Sequence, residues 1–541
     1  MERQFPGTDF KLEPQMKKID ICLILEGTYP FVHGGVSAWV HELILNQKDF
    51  SFYLICIVPS NFFDKPCFDI PDNVIGMKTV FSDKPCFDIP DNVIGMNTVP
   101  LTKIRRKKFK LNLFGGKTKA FFKEIRTPLM NMVKQQGSID DFRVIVDIFS
   151  HYRDNLDEHD LMKSTYSWDL MLEIYKETMP EISFMDFFWS WRTLVGGLFS
   201  IMMADIPPAG CYHTICTGYA GILMARLKRE TGSSCLLTEH GIYTSERRFE
   251  ISFAEWLVDQ KSFSMSVNKS KDNYELRDMW IDFFVQYGRF CYLSSDQIIS
   301  LFKDNLKIQV SAGASPEKCK VIPNGINLER YGAVVSTSGH PPSVAFIGRI
   351  TPIKDVKTYI RAVGILSRNI PDLTAYIIGG HDESPEYYQE CLDLIESEYL
   401  GDIIKFTGKV DIINYLPVVD IVVLSSISEA QPLVILEAGA AGIPSVATNV
   451  GACREILEGA EGDDFGPGGI VVPLASPVVM AEALSKLLLN EEFYEKCSTA
   501  IKKRVEKYYS SKDQFRSYHE LYLEMINMKA LPATKSDGVT E

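Results

Sequence analysis

The sequence predicts two doubly wound α/β domains in tandem, facing each other across a cleft, with a helical insertion in the first. Three observations carry this. The chain of 541 residues exceeds what one hydrophobic core usually organises. Short apolar runs alternate with helical patterns through the first half, as βαβ units require. After a polar linker punctuated by Gly and Pro (VVSTSGHPP, 334–342) the alternation begins again. The expected boundaries are 1–333 for the first domain and 343–510 for the second. A last helix, 511–528, is expected to pack back on the first domain.

Each element follows from its pattern. Residues 21–25 form a continuous apolar run of strand length, a glycine-bearing turn follows, and 36–45 reads as a helix. Further strands are expected at 51–58, 212–216, 234–238 and 290–293. Between them an aromatic-rich stretch of about 109–208 has helical periodicity, suited to a cap or an acceptor-side surface, or simply to an added helical layer. In the second half, strands are expected at 343–348, 373–379, 403–406, 420–424 and 445–447. Helices are expected at 356–367, 386–397, 433–441 and 491–509, and the tail after Lys529 is expected to fray.

One stretch is repeated. DKPCFDIPDNVIGMKTV (64–80) recurs as DKPCFDIPDNVIGMNTV (83–99), with Lys78 replaced by Asn97. Two copies are too few for a solenoid. One copy should fill the place in the fold, leaving the other as a surface excursion or edge hairpin. The prolines at 66, 71, 85 and 90 suit that role.

Composition excludes several classes. A formal net charge of -13 argues against nucleic-acid binding. The twelve cysteines contain no CxxC pair, so neither a disulfide framework nor a zinc site is indicated, and a reducing cytoplasm is the natural compartment. The first twenty residues are too polar for a secretory signal. The most apolar stretch, 187–204, holds Arg192 and abuts Asp186, each costing about 2.5–3.5 kcal/mol at a bilayer centre. It reads as a buried helix. The basic run KIRRKKFK (103–110) is either a solvated face or a contact for anionic lipid or an acidic partner.

Two constellations carry chemistry. In SSISEAQPLVILEAGAAG (425–442) a buried strand ends in a polar turn, and Pro432 suits the first helical position. Free N–H groups at that helix start, near Leu433 and Val434, can hold a phosphate. Glu429 lies in the turn and Glu437 inside the helix, so one carboxylate can meet the sugar end of a ligand and the other its far hydroxyls. Alone, two such glutamates are as readily two solvated side chains. In GRITPIKD (348–355), Arg349 and Lys354 flank a proline turn at a strand end, where two cations would neutralise a diphosphate leaving group.

With the Gly-Gly turn at Gly34-Gly35, VIPNGIN (321–327), GRITPIK and the pair of glutamates eight positions apart, the chain resembles the retaining glycosyltransferases of family 4, which have the GT-B fold. EGTYPFVHGGVSAWVHELI (26–44), CTGYAG (216–221), LLTEHGIYTSERRFEI (236–251) and the segment 426–457 resemble its PelF-like members, the cytoplasmic glycosyltransferases of Pel exopolysaccharide assembly. Those members share Ala430-Gln431 where most of the family has Gly-Phe, and Asp355 stands in place of a common glycine.

The resemblance implies roles. Glu429 would contact the donor sugar hydroxyls and Glu437 the ribose. Arg349, Lys354 and the backbone near Leu433 and Val434 would hold the diphosphate, and Gly34 and Gly35 would let their loop approach the phosphates. His240 would stand near the donor sugar. It further implies a UDP-sugar donor, a polysaccharide acceptor, retention at the anomeric carbon, no metal and no cofactor. Partners would be inner-membrane Pel-type assembly proteins, with the chain cytoplasmic and peripheral at that membrane. A sugar-nucleotide 2-epimerase of the same fold, an inactive nucleotide-sugar-binding scaffold and a glycogen or starch synthase remain as alternatives.

Overall fold

The structure is a computed structural model and describes residues 18–528, except 28, 33, 59–65, 81–96, 100–114, 253–274 and 338. The basic run 103–110, most of the opening polar stretch and the tail after 528 lie outside the described residues.

Two all-parallel sheets form the frame. The first contains β1 (Ile19–Glu26), β2 (Phe52–Ile57), β3 (Val74–Val80), β4 (Asn97–Val99), β5 (Ala209–Thr214), β6 (Ser234–Glu239), β7 (Gln297–Ser300) and β8 (Cys319–Val321), in the order β4-β3-β2-β1-β5-β6-β7-β8. The second contains β9 (Ser343–Ile347), β10 (Thr374–Ile378), β11 (Ile404–Gly408), β12 (Ile421–Leu424), β13 (Ser445–Thr448) and β14 (Gly469–Val472), in the order β11-β10-β9-β12-β13-β14. Strand order reverses between β1 and β5 in one sheet and between β9 and β12 in the other. Those are the switch points where open α/β sheets bind ligands.

The central strands are buried along most of their length because both faces are covered. One face of the first sheet carries the inserted helices Gly115–Val133, Ile139–Tyr152, Glu158–Lys163, Thr165–Thr178 and Phe184–Met203, which share a core with β1, β2 and β5. The apolar stretch 187–204 lies in the last of these, largely buried. Among the described residues no helix is long and apolar enough to cross a membrane.

One expectation fails here. Residues 290–293 are not a strand: they are the last turns of the helix Leu276–Ser294, and β7 begins three residues later. A four-residue apolar run cannot be told from the buried stripe of a helix. Met279, Phe283, Tyr287 and Phe290, all buried, are that stripe.

The duplication becomes visible at the sheet edge. The strand of the first copy is β3, and the end of the second copy is β4, paired parallel to it as Lys78↔Asn97, Thr79↔Thr98 and Val80↔Val99. The offset equals the repeat. Parallel pairing excludes the hairpin expected for the second copy, since both copies run the same way and need a crossover between them. Prolines 85 and 90 lie outside the described residues.

The helix Ser511–Met528 crosses back to the first sheet, where Tyr518, Leu521, Tyr522 and Met525 are buried in its core. The crossing is made at Ile326, whose N–H donates to the Tyr509 carbonyl at 2.9 Å and whose carbonyl accepts from the Ser511 N–H at 3.0 Å. Gly325 makes this approach possible: a Cβ there would stand 2.4 Å from the Ser510 carbonyl carbon.

Candidate active site

Both charged constellations follow the two strands that flank the switch point of the second sheet. Arg349 and Lys354 follow β9, in a turn that ends as the single 3-10 turn Pro352–Lys354. Glu429 follows β12. Backbone joins the two loops, the Ile427 N–H donating to the Ile353 carbonyl at 2.8 Å. The Ser425 hydroxyl adds a 2.9 Å bond to the Lys354 carbonyl.

Their side chains then meet. Lys354 Nζ and Glu429 Oε1 form an ion pair, with side chains 21% and 15% exposed, so it is shielded but open on one side. The Ser426 hydroxyl donates to the same Glu429 oxygen at 2.8 Å. Gly451 supports the loop from behind. Its φ is +49°, and a Cβ would lie 2.1 Å from the Ala430 carbonyl oxygen, so only glycine fits.

Arg349 turns elsewhere. Its guanidinium bonds Glu383 at 2.6 Å, both side chains more than half exposed. Such a pair contributes about 0–1 kcal/mol, so little holds Arg349 away from an anion in the cleft.

The helix Leu433–Ala440 begins at the expected residue, but Pro432 is its N-cap rather than its first helical position. Proline supplies no side-chain acceptor, so the first turn is not capped by its own cap residue. Glu437 lies on this helix and accepts a 2.9 Å hydrogen bond from the Tyr331 hydroxyl. Burial pushes its carboxyl up, and the Tyr331 bond opposes that shift.

The first domain closes the other side. Gly34 is the N-cap of the helix Gly35–Asn46, and its φ of 173° is ordinary extended backbone. Among the described residues, a Cβ on Gly34 or on Gly35 would meet no atom within 4 Å. Packing of the described residues therefore does not require glycine at either position. Gly35 and Leu433, from opposite domains, line one cleft of about 630 Å³ together with Trp39, Asn324 and Tyr331.

His240 follows β6 at the same sheet end and is 8% exposed. Among the described residues neither ring nitrogen has a hydrogen-bond partner, and burial pushes the imidazole down to about 4, so it is neutral near pH 7. The next residue, Gly241, reaches the opposite domain: a Cβ there would sit 3.8 Å from the Ala430 Cβ.

Several participants were not legible as such in the sequence. Gln431, two residues past Glu429, bonds Asn324 of the first domain. Trp39 packs its ring edge-on to His240 with centroids 4.5 Å apart. Tyr331 meets Glu437. The only signal for any of them was the Ala430-Gln431 departure from the common family pattern. Among the described residues no group of three His, Cys, Asp or Glu could hold a metal ion. Asp463, in the Gly-rich loop, is bound by buried Arg504.

Comparison with known proteins gives this geometry its setting. The family pattern described as a domain of unknown function (DUF3492) matches residues 19–86 and 82–317, two stretches that overlap inside the duplicated segment. The pattern described as glycosyl transferases group 1 matches 333–504. A D-inositol 3-phosphate glycosyltransferase of Kineococcus radiotolerans is 32% identical over 195 residues, covering 32% of this chain and 45% of that protein. One from Saccharomonospora viridis is 28% identical over 216 residues, covering 37% and 46%. The chain thus spans about half the length of the curated relatives it matches.

Among solved structures, Anabaena HepE in complex with UDP superposes with a TM-score of 0.53 at 13% identity, covering 94% of this chain and all of that one. The sucrose-phosphate synthase of Thermosynechococcus elongatus gives 0.52 at 13% identity, covering 94% and 99%. These likenesses establish the GT-B fold. The chain belongs to the family described as a domain of unknown function (DUF3492), here followed by a group 1 glycosyl transferase domain on the second sheet.

Proposed function

We propose that the chain is a retaining, metal-independent glycosyltransferase that moves a hexose or N-acetylhexosamine from a UDP-sugar to a growing exopolysaccharide of the Pel type. The observation that carries this reading is the shielded Lys354–Glu429 pair at the switch point of a group 1 glycosyl transferase domain. The group 1 relatives and the UDP complex of HepE, a protein of the same fold, support the donor class.

In the reaction an acceptor hydroxyl forms the new bond to the anomeric carbon as the bond from that carbon to the β-phosphate oxygen breaks. The hydroxyl proton passes to a phosphate oxygen on the same face, and UDP leaves. Charge accumulates on the diphosphate. Lys354, Arg349 and the N–H groups at Leu433 and Val434 are the groups suited to receive it. Glu429 orients the sugar hydroxyls and Glu437, at the far end, the ribose. Neutral His240 faces the sugar, and Gly34 and Gly35 leave space for the phosphates. No cofactor takes part.

The chain acts from the cytoplasmic side, recruited by inner-membrane assembly proteins through the helical layer 115–203 or the basic run. Removing the charges of 105–108 tests the second route by fractionation: unchanged membrane association rules it out.

The deciding experiment incubates the protein with UDP-glucose and UDP-N-acetylhexosamines with and without polysaccharide acceptor, following UDP release and the anomeric configuration of the product by proton NMR. Acceptor-dependent UDP release with retention is expected. Accumulation of a 2-epimer without UDP release, or an inverted product, would reject the reading.

A further inference from the structure

Three buried polar atoms with no hydrogen-bond partner among the described residues belong to two touching rings beside the cleft: Trp39 Nε1 and both ring nitrogens of His240. The two rings are in edge contact at 4.5 Å, and the residues are 7% and 8% exposed. Leaving a buried polar group unpaired is costly, so such a cluster in a folded protein calls for an absent partner. Trp39 also belongs to the apolar core on this face of the first sheet, which needs its ring but not its N–H. Its opposite contact is Tyr518 of the returning helix, also edge-on at 5.4 Å, and that packing would be served equally by phenylalanine.

The chemistry of the three atoms selects the partner. An indole N–H only donates, whereas a neutral imidazole donates from one nitrogen and accepts at the other. A ligand that satisfies all three must offer acceptors to two atoms and a donor to the third. A diphosphate diester or fully ionised phosphate lacks the donor and an ammonium lacks the acceptors. Neighbouring hydroxyls of a pyranose supply both, since each hydroxyl donates once and accepts twice.

Position selects which pyranose. Gly241, the residue after His240, lies against Ala430, beside Glu429, and Trp39 lines the cleft with Gly35 and Leu433, so the pair sits next to the loop that the proposed function assigns to the transferred sugar. Solvent does not reach the three atoms, so a sugar contacts them only when the cleft beside Trp39 opens.

We propose that Trp39 Nε1 and His240 together form a hydroxyl-reading subsite for the donor sugar, with Trp39 the residue that adds selectivity beyond the nucleotide. This rests on the donor class proposed above. The subsite discriminates by hydroxyl geometry, because a sugar presenting an axial hydroxyl where an equatorial one is read leaves the indole N–H unpaired again.

The test compares UDP with UDP-glucose and UDP-N-acetylglucosamine by calorimetric titration of the full chain and of Trp39→Phe, which keeps an aromatic ring and removes the N–H. Wild type is expected to bind one sugar nucleotide more tightly than UDP. Trp39→Phe is expected to bind UDP within about twofold of wild type and to lose about tenfold for that sugar nucleotide. Equal weakening of UDP and UDP-sugar, or no weakening of either, overturns the subsite while leaving the donor class standing. Failure of wild type to bind UDP or any UDP-sugar removes the donor class and the subsite with it. Should Trp39→Phe not fold, His240→Gln reads the same pair from its other member, with the same expected split between UDP and UDP-sugar.

Discussion

Gln431 of the second domain holds the backbone of Asn324 in the first, its Oε1 accepting the Asn324 N–H at 2.7 Å while its Nε2 faces the Asn324 carbonyl at 3.5 Å. Gln514 grips the same turn from the returning helix. Its Nε2 donates to Asn324 Oδ1 at 3.1 Å, and its Oε1 accepts the Gly325 N–H at 2.9 Å. The loop that carries Glu429 is therefore tied to the point where the chain crosses between domains.

Gln431→Leu keeps most of the volume and strands the buried Asn324 N–H, at a cost of about 1–3 kcal/mol. Urea titration is expected to show that loss. Combined with Gln514→Leu the losses should be non-additive by about 0.5–3 kcal/mol, because both amides act on one turn. Simple additivity would mean that the two grips are independent.

The Lys354–Glu429 pair should separate catalysis from folding. Lys354→Ala and Glu429→Ala are each expected to lower kcat by about 10²–10³, the range for removing one preorganised charge partner at a reacting centre. Thermal unfolding should stay cooperative in both, since each side chain retains some solvent. Wild-type turnover in both variants would place the chemistry elsewhere.

Arg349 gives the opposite sign through its neighbour. Glu383 now holds its guanidinium, and Glu383→Gln frees it for a phosphate. UDP affinity is expected to rise a few-fold at low salt, with the gain shrinking as salt screens the new contact. Stability should move by less than about 1 kcal/mol, as for any exposed pair. Weaker UDP binding in Glu383→Gln would show that Glu383 serves the ligand directly.

How far the sequence led depended on the distance between partners. The strand, turn and helix around Glu429 were legible because an apolar run, a polar turn and Pro432 lie next to one another. The stripe at 290–293 misled because four apolar residues fit either period. Gln431 and Asn324 are 107 positions apart, and nothing local in either marks the contact. Trp39 was equally silent, as its place beside His240 exists only once β1 and β6 share a sheet. The parallel addition of the second copy as β4 depended on the sheet offering an open edge, which no repeat pattern encodes.

Arg504 and Asp463 form a buried ion pair of the second domain that is predicted to lose its contribution at acid pH. Their side chains are 1% and 2% exposed, and Arg504 also donates to the carbonyls of Ile456, Leu457 and Gly466. Burial alone would raise the Asp463 carboxyl, but the Arg504 bonds and the Phe465 N–H hold it below the ordinary range. The pair's contribution is thus complete above the unfolded carboxylate pKa and is lost as pH falls through the lower folded value. Asp463→Asn is expected to cost about 3–5 kcal/mol at pH 7, since it leaves a buried guanidinium without its counter-charge. The penalty should shrink below about pH 4, where the unfolded carboxylate also protonates.

Two buried histidines contribute a destabilising slope at milder acidity, opposed by the carboxyls of Glu239, Glu246, Glu437 and Glu455, which desolvation pushes up. His213 is enclosed, with Nδ1 2.8 Å from the Tyr522 hydroxyl and Nε2 2.9 Å from Thr238 Oγ1, and burial pushes it down to about 3. His240 is pushed down to about 4. In the unfolded chain both titrate near the ordinary value of about 6.5. Between that value and the folded ones the unfolded chain binds protons that the folded chain refuses, so stability falls as pH falls. Above about pH 6.5 neither state is protonated and the two residues impose no slope. Each contributes at most about 1.4 kcal/mol per pH unit within the window. Urea titrations at pH 7.5, 6 and 5 are expected to show the histidine decline as a difference between wild type and His240→Phe that grows below about pH 6.5. His240→Phe should reduce the slope by up to one proton's worth and leave the contribution of His213. A slope unchanged by His240→Phe would mean that His240 exchanges protons freely in the folded chain, and that the cleft around Trp39 stands open to water.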